Sequence, residues 1–244
     1  MKVKKKSGPF KFKQFEIHQD QCTMKVGTDG VLLGAWADVD NCQNILDIGA
    51  GTGLIAIMLG QRTQDQDTEI YAIEIDDAAA EQAAANANAA PWSQRLNIFQ
   101  GAIQDYARST DHKFDLIVSN PPFFSGGTFS DKQDRNDVRH TVKLPHGDLL
   151  IAVRTLLQEN GKFCVILPLI EGLRFQELAA PYHLYCTKVM KVKPKKDKPV
   201  ERLLLQFERN KLPQQTNELI IQKEARNDWT EDYIDLTKAF YLKM

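Results

Sequence analysis

The 244 residues are 43% hydrophobic and 26% charged, with a formal net charge of −1. That composition suffices for one α/β unit with a sizeable core, and no apolar run approaches the roughly 20 residues that span a bilayer. Four scattered cysteines (Cys22, Cys42, Cys164, Cys186) form no CxxC pair and have no histidine at ligand spacing. They read as reduced thiols of a cytoplasmic protein with no structural metal, and no apolar signal-peptide core follows the basic N-terminus.

The near-zero net charge hides an asymmetry. Residues 1–13 hold Lys2, Lys4, Lys5, Lys6, Lys11 and Lys13 and no acid, and residues 188–198 hold six lysines against Asp197 alone. Setting those twelve lysines and one acid aside from the 31 basic and 32 acidic residues leaves 19 basic against 31 acidic. An acidic body carrying two lysine-rich segments suits a polyanion partner, although each segment alone reads equally as solvated chain.

In chain order, residues 1–15 form a basic arm in which Phe10, Phe12 and Phe15 interleave with Lys11 and Lys13. Two readings are open: stacking on bases with phosphate contacts, or a short strand docked on the body. Met24–Trp36 predicts a capping helix with Thr28 or Asp29 as N-cap. Asn44–Ile48 is a short strand, Gly49-Ala50-Gly51-Thr52-Gly53 a glycine turn, and Leu54–Gln61 an apolar helix. Together they are the first unit of a nucleotide-binding α/β fold. Glu69–Ile75 is a second strand, Asp76–Ala90 an alanine-rich helix, Leu96–Gln100 a third strand and Ile103–Ala107 a short helix. Phe114–Ser119 is a fourth, buried strand.

A polar loop over 124–143 follows, suited to a lid or clamp. Then come a helix over Pro145–Gln158, a fifth strand over Lys162–Leu167 and a helix over Glu171–Ala180. Tyr182–Lys193 and Pro199–Glu208 are extended runs whose short lysine-rich connection predicts an antiparallel hairpin at the sheet edge. Thr230–Leu242 is an amphipathic helix with Thr230 at its start.

Two stretches carry chemistry. Asp47-x-Gly49-x-Gly51-x-Gly53 is neither G-x-G-x-x-G nor a phosphate loop with its lysine. An acid before the glycines repels pyrophosphate and favours a ligand with an amine or cation. Glu74, 27 positions after Asp47 at the end of the second strand, can accept both hydroxyls of a ribose. Ribose, an amino acid, a positive charge and no phosphate describe S-adenosylmethionine. The second stretch is Asn120-Pro121-Pro122-Phe123, where the prolines hold Asn120 extended at a strand's carboxyl end with an aromatic nearby. Taken alone it is either a strand stopped by Pro-Pro or a site for chemistry on a planar amine. In a doubly wound sheet the first and fourth strands lie side by side, which brings the glycine loop and Asn120 together.

The Asp47–Gly53 loop, Glu74 and Asn120–Phe123 together resemble the class I adenosylmethionine-dependent methyltransferases, and Asn-Pro-Pro-Phe is similar to the signature of those acting on exocyclic or amide nitrogens. Lys25–Trp36 (KVGTDGVLLGAW) and Leu236–Met244 (LTKAFYLKM) extend the match nearly over the whole chain, to the bacterial tRNA(Val) adenine-37 N6-methyltransferase family. The resemblance implies a seven-stranded, mostly parallel, doubly wound Rossmann-like sheet, an anticodon-loop adenine of tRNA as target, and monomeric or loosely associated action. One position departs: where many methyltransferases place an acid after the third strand to read the cofactor's adenine, this chain has Ala102.

The resulting expectations are a single domain over 1–244, with residues 1–40 as basic arm and capping helix and 41–244 as catalytic core. The catalytic set is Asn120, Pro121, Pro122 and Phe123. The cofactor set is Thr28, Asp29, Asp47, Gly49, Gly51, Gly53, Glu74, Ala102, Ile103 and Asn120. The RNA set is Lys4, Lys5, Lys6, Lys11, Lys13, Lys193, Lys195 and Lys196, with Arg135, Arg139 and His140 either touching the RNA backbone or merely solvated. Phe123 would stack on an extruded base, and Phe124 is either a second wall or core. Two rival functions are methylation of a protein glutamine amide, which presents the same planar NH₂, and a non-catalytic RNA-binding module on the same fold.

Overall fold

The computed structural model describes residues 8–22, 24–122 and 144–244. In chain order the strands are β1 (Phe10–Lys11), β2 (Glu16–Ile17), β3 (Asn44–Ile48), β4 (Glu69–Glu74), β5 (Leu96–Gln100), β6 (Phe114–Ser119), β7 (Leu157–Pro168), β8 (Tyr185–Lys195), β9 (Arg202–Glu208) and β10 (Gln215–Gln222). The helices are α1 (Thr28–Trp36), α2 (Leu54–Arg62), α3 (Asp77–Ala89), α4 (Ile103–Ser109), α5 (His146–Leu156), α6 (Leu169–Ala179) and α7 (Glu231–Thr237).

The main sheet runs β10-β8-β9-β7-β6-β3-β4-β5. Its pairings are parallel except where β9 meets β7 and β8. The strands read as central, β3 and β6, are indeed neighbours, with Ile48 opposite Ser119. They are buried on both faces, and alternate residues feed two cores. Ile45, Leu116 and Cys164 join α1, α2 and α7 on one side. Leu46, Ile117 and Val165 join α5 and α6 on the other. This is the doubly wound arrangement expected of continuous apolar strands linked by helices.

The strand count corrects the expectation of seven. Residues Gln215–Gln222 pair parallel with β8 and make an eighth strand. The β8–β9 hairpin is therefore not the edge; β10 lies outside it. Half of β10 is solvent-exposed Gln215, Thr216, Asn217 and Glu218, and Leu219 is its buried residue, so no apolar alternation marks it.

Two local expectations also change, and the open reading of the arm is resolved. The N-cap of α1 is Gly27, with no side-chain cap, so neither Thr28 nor Asp29 caps it. The C-terminal helix does begin at Thr230, whose hydroxyl accepts the Tyr233 N–H, but it stops at Thr237. The chain then turns so that Tyr241 bridges Phe12. The described part of the arm is docked: Phe12 and Phe15 are buried, their rings stack at 4.6 Å, and Lys13 Nζ donates to the carbonyls of Lys238 (2.5 Å) and Met244 (2.7 Å).

Close packing makes one glycine indispensable. A Cβ at Gly60 on α2 would lie 2.2 Å from Trp92 Cδ1 and 2.4 Å from its Nε1, and that Nε1 donates to Ile57 O at 2.9 Å. Gly60→Ala therefore forces the indole off its hydrogen bond. The expected cost is about 2 kcal/mol, or roughly 4–8 °C in Tm. A thermal unfolding curve unchanged by the substitution would contradict this packing.

Candidate active site

The carboxyl edge of the sheet gathers the two sequence-marked stretches. The glycine loop leaves β3 and folds back over the end of β4: Gly49 N and Ala50 N both donate to Ile73 O, at 2.9 and 3.1 Å. Gly49, Gly51 and Gly53 have φ of 76°, 54° and 78°, a left-handed path that side chains with a Cβ disfavour. Gly53 also sits against Ala83 of α3, where a Cβ would come within 3.3 Å.

Glu74 closes the loop. Its Oε2 accepts Gly51 N–H at 2.8 Å, its Oε1 accepts Asp76 N–H at 3.0 Å, and Gly101 N donates to its carbonyl at 2.8 Å. Each carboxylate oxygen keeps further lone-pair capacity. Gly101 leads into Ala102, the N-cap of α4, and into buried Ile103, so these three residues border Glu74. Ile75, next in sequence, is an exposed apolar side chain at the same edge.

Asp47 is fully buried behind the loop. Its Oδ2 accepts Ala56 N–H at 3.2 Å from the first turn of α2, and its Oδ1 has no hydrogen-bond partner. Burial pushes its carboxyl up to about 7, the Ala56 bond opposes the push and the Glu74 charge adds to it. The folded pKa lies above the unfolded value of about 3.9, so the folded chain holds the extra proton between about pH 4 and pH 7. Without added ligand, stability contributed by this group falls as pH rises through that window. Asp47→Asn removes the penalty. At pH 8 the variant is expected to be more stable by up to about 4 kcal/mol, converging with the parent near pH 4. Urea unfolding at both pH values checks this, and a gap that persists on acidification argues against it.

Asn120 stands directly after β6, beside the glycine loop across β3. Ser119 Oγ donates to Ile48 O at 2.8 Å and ties the two strand ends together. Asn120 Oδ1 is buried, with no hydrogen-bond partner among the described residues. Pro121 is buried and Pro122 exposed. Phe123, Phe124, Arg135, Arg139 and His140 lie outside the described residues, as do Lys4, Lys5 and Lys6.

Thr28 and Asp29 reach the same edge because α1 packs tightly on α2. A Cβ at Gly30 would meet Leu54 Cδ2 at 3.2 Å, one residue past the loop. Asp29 is ion-paired to Arg202 of β9 at 2.8 Å, a partner that local sequence does not announce. Local reading also missed Gln82 and Asn86, one turn apart on α3 and both buried. Asn86 Nδ2 donates to the carbonyls of Thr52 (2.9 Å) and His18 (2.8 Å), its Oδ1 accepts His18 N–H (3.0 Å), and Gln82 Oε1 accepts Gln21 N–H (3.4 Å). They lash the segment after β2 to the glycine loop. Burial, then the charges of Glu74, Asp76 and Asp20, push the Cys22 thiol up to about 11.

The described lysines of the expected RNA set divide. Lys13 holds the C-terminal turn, Lys193 pairs with Glu218 at 2.9 Å, and Lys195 Nζ donates to Glu224 O at 2.7 Å. Lys11 and Lys196 are exposed.

Comparison with known proteins bears on all of this. The family model of the methyltransferase small domain matches residues 26–166. The chain is 45% identical over 234 residues to a tRNA1(Val) (adenine(37)-N6)-methyltransferase of Trichodesmium erythraeum, covering 96% of this chain and 98% of that one. A protein of the same name from Flavobacterium johnsoniae is 45% identical over 237 residues, covering 96% and 100%. Among solved structures, a predicted O-methyltransferase from Agrobacterium tumefaciens superposes with a TM-score of 0.67 at 18% identity, over 87% of this chain and 96% of that one. A glycopeptide N-methyltransferase complexed with S-adenosyl-L-methionine gives 0.54 at 13% identity, over 76% and 100%. These two speak to the fold alone, that of class I methyltransferases. Near-full-length identity at 45%, with the glycine loop and Asn120 side by side, makes this chain a member of the tRNA1(Val) (adenine(37)-N6)-methyltransferase family.

Proposed function

We propose that the chain, acting as one unit in the cytoplasm, transfers a methyl group from S-adenosylmethionine to N6 of adenine 37 in tRNA(Val). The observation that carries the reading is the buried Oδ1 of Asn120 beside the glycine loop, which has no partner among the described residues. A buried acceptor left unmade costs about 1–3 kcal/mol, and an amine N–H of the substrate is a partner that would repay it.

The cofactor supplies an electrophilic methyl group on a sulfonium. The residues present fit it. Glu74 offers acceptors to ribose hydroxyls, Ile75 and Ile103 offer apolar surface to an adenine, and the orphaned Asp47 Oδ1 offers negative charge to an ammonium. Asn120 Oδ1 and the Pro121 carbonyl each accept one N–H of the target amine. That draws the nitrogen towards tetrahedral geometry and localises a lone pair otherwise spread into the ring. Positioning and electrostatics then carry most of the barrier reduction. No strong base is needed, because the methylated ammonium is acidic. Phe123 stacks on the extruded base, worth about 1–3 kcal/mol.

Incubating the chain with methyl-labelled cofactor and either total tRNA or total protein tests the substrate class. Label in tRNA is expected; label confined to protein would favour the glutamine-amide reaction, and none in either the non-catalytic module.

A further inference from the structure

A cavity of about 960 Å³ opens on the carboxyl edge, where both ends of the described chain meet β8, β9 and β10 and where Thr28 and Asp29 also line it. Its floor is Leu32, Val192 and Tyr233. One wall is Phe10 and Lys11 of β1 with Tyr241, Leu242 and Lys243. The other is the ends of β8 and β10 with Trp229.

Three properties of this cleft point to a ligand. First, its lining carries Lys11, Lys195, Arg202 and Lys243 against two acids, Glu201 and Asp29, and Asp29 is already bound to Arg202. Second, aromatic faces sit among those cations: Phe10, Tyr241 and Trp229 are all half-buried rather than core. Cationic groove plus aromatic platform is the composition that binds single-stranded nucleic acid. Third, its place is set by register. Arg202 of β9 pairs with Pro168 at the end of β7, the strand next to Asn120's own. With strands about 4.8 Å apart, β9 to β10 lie roughly 10–19 Å along the edge from β6. A substrate whose target base reaches Asn120 has its neighbouring nucleotides within that span.

We propose that this cleft holds the RNA flanking the target adenine, with Lys11 and Lys243 against phosphates and Trp229 against a base. The inference rests on the tRNA reading above and extends it to a surface separate from the reacting atoms. Residues 10–11 and 241–243 form one wall, and Lys13 ties the first segment to Lys238 and Met244, so the described part of the arm shapes the cleft.

The test is fluorescence anisotropy of a labelled anticodon stem-loop across a salt series. The Lys11→Glu/Lys243→Glu double variant is expected to raise Kd at least tenfold and to flatten the salt slope by about 1.5. Its Tm and its Kd for S-adenosylmethionine should match the parent's. Lys113→Glu/Lys211→Glu, at the opposite edge of the sheet, makes the same net-charge change and is expected to move Kd less than about threefold. Equal losses in both variants, or no loss in the first, would overturn the proposal. Trp229→Phe should retain binding while Trp229→Leu weakens it about fivefold; equal behaviour removes the stacking role. If a labelled poly-glutamate peptide, and not the stem-loop, is lost by the first variant, the cleft serves an acidic protein instead and the proposal fails. Binding needs no turnover, so the two readings separate. A parent chain that binds the stem-loop through this cleft yet yields no N6-methyladenosine would remove the proposed reaction and leave the cleft.

Discussion

Asn120→Ala is expected to lower kcat for methyl transfer to tRNA by at least about 10³-fold, since the variant loses the acceptor proposed to face the reacting nitrogen. Cofactor affinity should stay within about threefold, because the groups proposed to hold the cofactor, Asn120 apart, sit mainly at the ends of β3, β4 and β5. Stability separates this from a structural defect. Asn120 Oδ1 has no hydrogen-bond partner among the described residues, so removing it deletes a desolvation cost rather than a bond to them, and Tm should be unchanged or slightly raised. Rapid-quench turnover, calorimetric cofactor titration and thermal unfolding on the same preparation decide it. Near-parental turnover would refute the amine-polarising role, and a large drop in Tm would make Asn120 a packing residue.

The second large effect belongs to Glu74. Its two oxygens hold Gly51 N–H and Asp76 N–H, so the side chain both shapes the glycine loop and, on the proposed reading, accepts the ribose. Losing charge-assisted bonds of this kind in Glu74→Ala should weaken S-adenosylmethionine binding about 100-fold, equivalent to about 2.7 kcal/mol. At saturating cofactor, kcat should fall far less, since Asn120 is untouched. Glu74→Gln keeps one acceptor oxygen and should lie between the two. Unaltered affinity in Glu74→Ala, measured by calorimetry, would mean that the ribose is held elsewhere.

Much of this site could be read from residues because its parts are local. Asn44–Ile48 and Phe114–Ser119 are apolar runs ended by glycine and by proline, and both kinds of boundary are encoded within a few positions. Leu96–Gln100 has the expected bounds. Pairing across β3 then followed from the doubly wound rule alone. What local pattern could not encode is long-range partnership. Asp29 and Arg202 are 173 residues apart, and Asn86 meets His18 and Thr52 only in the fold. An asparagine in an alanine-rich helix gives no hint that it is buried. The aromatics of the arm were ambiguous for another reason: alternating Phe and Lys suits a nucleic-acid platform and a docked strand equally. The fold resolves Phe12 and Phe15 to the core and leaves Phe10 at the rim of a cleft. Strand β10 escaped because an edge strand needs few apolar residues to be held by its neighbour's backbone.

The most direct measurement is mass analysis of nucleosides from tRNA incubated with the chain and S-adenosylmethionine, with the modified nucleotide mapped by nuclease digestion. N6-methyladenosine confined to adenine 37, beside the anticodon of tRNA(Val), is expected, and none with Asn120→Ala. Methylation at another atom or another nucleotide, or an RNA left unmodified, would contradict it.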